Sequence, residues 1–164
     1  MKEYISIYKS PIGDIILKSD GEFLTELRFT KDTYDKTPDT LELFCKAHKF
    51  LDEYFDGKAP DPSQIPVKLQ GSDFRLSVWE KLKKIPYGKT TTYGAIAKET
   101  AKELGIERMS AQAVGQAVGA NPVSIIIPCH RVLGVNGNLT GYSGGLDKKT
   151  ALLKHEQRLL KIQT

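Results

Sequence analysis

With 164 residues, 40 % of them hydrophobic, the chain can bury one large core or two small ones; it has no repeat, no low-complexity tract and no apolar run of membrane length, and the polar N-terminal MKEYISIYKS does not read as a secretory leader. Only Cys45 and Cys129 are present, which excludes a disulfide-built scaffold and leaves a soluble, cytoplasmic protein with reduced thiols as the expectation. The net charge of +4 divides unevenly, −3 over residues 1–70 and +7 over residues 71–164, so the second half is either a solvated basic surface or the footprint of an anionic partner, nucleic acid being the commonest.

Three β-rich runs open the chain, at 3–9, 12–19 and 22–29, and Asp20-Gly21 between the last two predicts a hairpin. Residues 30–39, with Pro38, read as a loop. LELFCKAHKFLDEYF (41–55) carries apolar residues at helical spacing, and Gly57 ends it. Cys45 and His48 sit three apart on that helix, but two ligands with no further Cys or His nearby make a poor zinc site. Three prolines in APDPSQIP (59–66) predict an extended connector and a domain boundary, giving residues 1–70 as a small α/β domain and 71–164 as a mostly helical one.

In the second part, a helix over 72–85 starts at a Ser72 or Asp73 cap, with Phe74, Val78, Leu82 and Ile85 on one face, and breaks at Pro86-Tyr87-Gly88. Thr92 caps a second helix with Ile96, Ala97, Ala101 and Leu104 on its apolar side, ended by Gly105. Ser110 caps a third, AQAVGQAVGA. Helix, glycine-containing turn, helix is the layout of a helix-turn-helix. Val114, Ala117 and Val118 face the core in the third helix. Its other side presents Gln112, Gly115, Gln116 and Gly119 beside Ala111, where a recognition helix would carry base-reading side chains. Glycine inside a helix costs roughly 1 kcal/mol relative to alanine. That face is either packed tightly on another helix or approached closely by a partner, and a DNA partner would be read by shape in a narrow groove.

Asn121-Pro122 starts a turn, and the buried-looking Ser124–Ile127 run, a strand or extended segment, leads through Pro128 to Cys129, His130 and Arg131. A cysteine here is an inert core thiol or a positioned nucleophile, and two following cations favour the reactive thiolate. Neighbouring strand residues point to opposite faces, so Cys129 and His130 cooperate only if the chain turns at Pro128 or a water joins them. Glu156, on a helix over 146–160 with Leu146, Leu152, Leu153, Leu159 and Leu160, either orients the imidazole or is a solvated helix residue.

Ile-Pro-Cys-His-Arg-Val (127–132) after Ala-Asn-Pro (120–122), with Gly-Tyr-Ser-Gly-Gly-Leu (141–146) and Leu-Leu-Lys-His-Glu (152–156), resembles the O6-alkylguanine-DNA alkyltransferases. The likeness runs from about residue 72 to 158 and includes Phe74, Val78-Trp79, Ile85–Gly88, Thr92–Gly94 and Ala113–Gly115. It implies an α+β fold, a ribonuclease H-like N-terminal α/β domain followed by a helical domain with a helix-turn-helix. By the same resemblance Cys129 accepts the alkyl group, His130 takes its proton through a water, and Glu156 orients His130. Tyr93 contacts the target base and the rotated phosphate, and Asn121 holds the turn joining the third helix to the active segment. The backbone of Cys129, Val132 and Ser143 reads the guanine edge, with Tyr142 walling the pocket. Ala111, Ala113 and Gly115 line the minor groove, with Gln112 and Arg131 as further DNA contacts.

Gln112 departs from the pattern: the family carries there an arginine that fills the gap left by the extruded base. The implied partner is double-stranded DNA containing O6-alkylguanine, with O4-alkylthymine also a substrate, and the implied reaction is a single irreversible transfer. No cofactor, metal or membrane is called for, and a monomer is expected. Two other readings stay open on the residues alone: a Cys-His hydrolase built on Cys129, His130 and Glu156, and a helix-turn-helix regulator with an inert thiol.

Overall fold

The computed structural model describes residues 2–37, 41–138, 142 and 144–163, with side chains of the last helix described through Gln157. It divides into two units, Met1–Leu69 with Pro122–Ser124, and Gln70–Asn121 with Ile125–Thr164.

In the first unit, β1 (Tyr4–Ser10), β2 (Gly13–Ser19) and β3 (Leu24–Phe29) form an antiparallel meander in that order. Central β2 buries Ile15, Ile16 and Leu17 in succession, which a strand covered on both faces requires. The hairpin falls where Asp20-Gly21 predicts it, but its loop is wider than two residues. Asp20 Oδ1 accepts the backbone N–H of both Glu22 and Phe23, and Gly21 takes φ +107°, so β3 starts at Leu24 and the pairing slips at Lys18/Ser19.

Helix α1 (Glu42–Phe55) buries Leu43, Phe44, Ala47, Phe50, Leu51 and Tyr54 on one stripe and stops before Gly57 (φ +95°). It packs on β1 through Tyr8, whose hydroxyl donates to Asp52 Oδ1 at 2.7 Å and whose ring meets His48 edge-on. His48 Nε2 pairs with Ser6 Oγ at 2.9 Å, and Cys45 faces solvent, so the two do not converge. The proline-rich connector is not extended throughout. Asp61 accepts the Ser63 N–H and caps a 3-10 turn at Pro62–Gln64, for which Pro62 is pre-set. Beyond it the chain lies along β3, with Leu24 N–H donating to Pro66 O at 2.8 Å. Pro122–Ser124 lie along β3 as well, through Leu27 N–H to Pro122 O at 2.9 Å and Ser124 N–H to Leu27 O at 2.8 Å.

The second unit holds α2 (Asp73–Leu82), α3 (Tyr93–Leu104), α4 (Ala111–Gly119) and α5 (Leu146–Gln163), with a two-residue parallel ladder joining β4 (Thr91–Thr92) to β5 (Val132–Leu133). Ser72, Thr92 and Ser110 each cap their helix by accepting an N–H three residues on, and Gly105 closes α3 at φ +69°. Buried Trp79 donates from Nε1 to Ala117 O at 2.8 Å, tying α2 to α4. Three expectations shift. α2 ends at Leu82 because its last turn tightens into i→i+3 bonds, Lys84 to Lys81 and Ile85 to Leu82. Phe74 and Ile85 are only half-buried. Leu104 is 49 % exposed, since the buried stripe of α3 loses its cover after Ala101.

The Ser124–Ile127 run before the motif is buried, as expected, but it is not one extended segment. Ile125 takes φ +69°, a region that costs a β-branched residue of order 1–2 kcal/mol, and the chain turns there.

Candidate active site

Pro128 bends the chain. With φ −79° and ψ 65° it makes an inverse γ-turn, closed by Cys129 N–H to Ile127 O at 2.8 Å, and Cys129–Arg131 then form a 3-10 turn. The turn foreseen at Pro128 therefore exists, and it removes the strand geometry that would send Cys129 and His130 to opposite sides. Buried Asn121 donates from Nδ2 to Ile127 O at 2.9 Å and ties the end of α4 to this bend.

Helix α5 supplies the carboxylate. Lys149, Leu152 and Glu156 share one of its faces, and all three are buried. Leu146 at its start is exposed, and the Leu159 and Leu160 side chains lie outside the described residues. Glu156 is saturated. Its Oε1 accepts from Gly88 N–H at 3.0 Å and Arg131 Nε at 2.8 Å. Its Oε2 accepts from His130 Nε2 at 2.5 Å and Arg131 Nη2 at 3.2 Å. Arg131 also donates from Nη1 to Ile85 O at 2.7 Å and lies over the Tyr87 ring. Gly88, at φ +79°, aims its N–H at the carboxylate, while Gln157 Nε2 donates to its carbonyl at 2.8 Å.

Electrostatics follow from this packing. Burial alone would push the Glu156 carboxyl up, but His130 and Arg131 outweigh it and hold the group down at about 2. Burial pulls the His130 imidazole below its ordinary value; Glu156 opposes that pull, and Arg131 and Lys149 add to it. The state that satisfies both partners at neutral pH is an ionised Glu156 and a neutral His130. A carboxylate only accepts, so His130 must carry its proton on Nε2, leaving Nδ1 as the basic atom. His130 Nδ1 is buried and has no hydrogen-bond partner among the described residues.

Cys129 is 3 % exposed and in no disulfide. A charged residue that interacts with it was missed by sequence reading. Lys149 is fully buried, donates from Nζ to Tyr93 Oη at 3.2 Å and lies 5.4 Å from the centre of the Tyr93 ring. Burial lowers its ammonium to about 8, while the Cys129 thiolate pulls the other way. The signal was present in the spacing: Lys149 stands three residues before Leu152 and seven before Glu156, on the stripe that had to be buried.

The structure thus brings Cys129, His130, Glu156, Asn121 and Tyr93 into one unit with the helix-turn-helix. Tyr142 is buried, and Ser143 lies outside the described residues. On α4, Ala111 and Gln112 are exposed, and Ala113 and Gly115 half-buried. Val132 is buried, with its N–H donating to Cys129 O and its backbone paired to Thr91. Arg131, expected as a DNA contact, is buried, and its guanidinium donates to Glu156 and to Ile85 O, which ties the site together. Among the described residues nothing packs closely enough on Gly115 or Gly119 of α4 to require glycine there. A methyl group at Gly119 would meet nothing within 4 Å, and one at Gly115 only the Tyr93 ring at 3.9 Å.

Comparison with known proteins agrees with this architecture. Residues 73–158 match the model of the 6-O-methylguanine DNA methyltransferase DNA binding domain, and residues 4–69 match that of the same family's ribonuclease-like domain. The chain belongs to the 6-O-methylguanine DNA methyltransferase family. It is 45 % identical over 160 residues to a methylated-DNA–protein-cysteine methyltransferase of Methanosarcina acetivorans, covering 93 % of this chain and 97 % of that one. To the Haemophilus influenzae protein of the same name it is 40 % identical over 159 residues, covering 94 % and 86 %. A crystal structure of Mycobacterium tuberculosis OGT in complex with DNA superposes with a TM-score of 0.79 at 41 % identity, covering 93 % of this chain and 92 % of that one.

Proposed function

We infer that the protein repairs DNA by taking an alkyl group from guanine O6 onto Cys129, once per molecule. One observation carries the reading: Glu156, filled by four donors, fixes the His130 tautomer so that the lone pair of a buried Nδ1, unpaired among the described residues, stands one residue from the thiol. The Cys129 proton passes to Nδ1 through an intervening water, and the thiolate sulfur attacks the alkyl carbon. The C–O6 bond breaks, its electrons leave with guanine, and guanine regains a proton from the site. Tyr93, whose oxygen accepts from Lys149, is suited to donate its own proton to the departing purine. The product is a thioether, a poor leaving group, so each molecule reacts once.

The target atom lies inside the stacked duplex, and exposing it costs a few kcal/mol. Glycines on α4 that no described residue crowds, together with the net charge of +7 over residues 71–164, favour close approach to a DNA groove and its phosphates. We take that groove to be the minor one, the protein to act as a cytoplasmic monomer, and O4-alkylthymine to be a second substrate. Ala111, Ala113 and Gly115 would face the groove, with Gln112 at the vacated base position. The backbone carbonyls of Cys129 and Val132, Ser143 and Tyr142 would surround the base.

The test is intact-protein and peptide mass spectrometry after mixing with a duplex containing one O6-methylguanine. A single methyl on the peptide holding Cys129, stoichiometric and absent in Cys129→Ala, is expected. Methylation elsewhere, no methylation, or multiple turnover as a Cys-His hydrolase would give, would overturn the reading.

A further inference from the structure

One groove in the second unit is untouched by the site above. It has a volume of about 510 Å³ and runs from Gly94 along α3 to the 106–109 segment and Ala111, the first residue of α4. Its floor is apolar, with Ala97 and Ala101 buried and Ile106 and Met109 closing the far wall. Its rim carries Lys98, Lys102 and Arg108 against one carboxylate, Glu107. Elsewhere in this unit Lys81 pairs with Glu103, Lys83 with Glu80 and Lys148 with Asp147. The side chains of Lys98, Lys102 and Arg108 make no ion pair and no hydrogen bond among the described residues, and all three residues are exposed.

We propose that this groove is a cradle for the sugar-phosphate backbone of duplex DNA, flanking the stretch met by α4. The proposal rests on the DNA-repair reading above and adds a second contact to it. Charge points to a polyanion, since three uncompensated cations border one depression. Continuity points to the same duplex, because the groove ends on Ala111, where the small-residue face of α4 begins. The floor suits deoxyribose, whose C–H faces need apolar cover, while the rim cations reach the non-bridging phosphate oxygens. Position fits as well, since the first helix of a helix-turn-helix crosses the backbone. The cradle supplies long-range attraction that the neutral Gln112, exposed on α4, cannot give.

The experiment measures fluorescence anisotropy of an undamaged labelled duplex at several salt concentrations, with wild type, Lys98→Gln, Lys102→Gln, Arg108→Gln and the triple variant. Each neutralised cation should flatten the slope of log K against log salt by about 0.9, and the triple by up to ~2.7. Glu107→Gln should tighten binding. The rate of methyl transfer from the free nucleoside O6-methylguanosine should not change in the triple variant, because the transfer site is intact. An unchanged salt slope in the triple variant overturns the cradle, whether the groove then serves an acidic protein or nothing. Failure of the wild type to methylate Cys129 from damaged duplex would instead overturn the repair reading itself.

Discussion

Lys149 Nζ donates to Tyr93 Oη at 3.2 Å, a pair of side chains 56 residues apart in sequence and both buried in the second unit. The ammonium of Lys149 and the thiolate form of Cys129 attract each other. The Lys149 ammonium is held down at about 8, first by burial, against the pull of the Cys129 thiolate. The unfolded chain keeps that proton to about 10.4. Between those values unfolding takes up a proton, so this group's contribution to stability rises with pH there, and below pH 8 the buried charge is a fixed cost. Lys149→Met should therefore be more stable than wild type at pH 7, by ~2 kcal/mol, with the gap closing near pH 10. Methyl transfer should slow in the same variant. Urea unfolding at the two pH values, with single-turnover rates, checks both; a variant less stable at pH 7 would contradict the assigned cost.

Glu156 behaves oppositely. Its carboxyl sits at about 2 in the fold, where burial raises it less than His130 and Arg131 lower it. A carboxylate depressed below its unfolded value contributes stability that is complete above pH 4.5 and disappears as pH falls toward 2. His130, lowered chiefly by burial, adds to the same acid loss, because the unfolded chain takes up its proton first as pH drops below 6.5. Glu156→Gln cannot accept from four donors with one oxygen, so we expect a loss of about 3–5 kcal/mol at neutral pH and a flatter acid limb. Stability measured from pH 3 to 8 in both proteins decides it, and parallel curves would mean that Glu156 is not the titrating group.

Arg131 offers a test of inward against outward use. Its guanidinium makes two donations to Glu156 and one to Ile85 O, a set that a single ammonium cannot reproduce. Arg131→Lys should leave the affinity for undamaged duplex unchanged and slow methyl transfer roughly tenfold or more, through a less well oriented His130. Its pH–rate profile should shift as well, which a purely packing role would not cause. Reduced DNA affinity with an unaltered transfer rate would support the outward role read from the sequence.

Caps and glycines made most of the fold legible. Ser72, Thr92, Ser110 and Gly105 act where local backbone chemistry places them, and such signals need no knowledge of the rest of the chain. Cys129, His130 and Glu156 were readable as a set, but Arg131 and Lys149 were not. Charged residues read as solvated unless a partner is known, and their partners lie 25 and 56 residues away. The return of Pro122–Ser124 to β3 was hidden for the same reason: a two-bond contact between distant segments leaves no periodicity. Ile125 at positive φ runs against its own propensity, so only the whole structure reveals the turn.

The glycines of α4 separate fold from function. Neither Gly115 nor Gly119 is needed for packing, since an added methyl at either meets at most an ordinary contact. Alanine is the better helix former, so Gly115→Ala should stabilise the protein by about 0.5–1 kcal/mol, raising the melting temperature by roughly 1–4 °C. If DNA backbone closes on this face, the same methyl must weaken binding, and a larger side chain must weaken it further. Gly115→Ala and Gly115→Leu, compared by thermal melting and by anisotropy with a damaged duplex, should thus move stability and affinity in opposite directions for the first substitution. Affinity retained in Gly115→Leu would mean that α4 does not face the DNA closely.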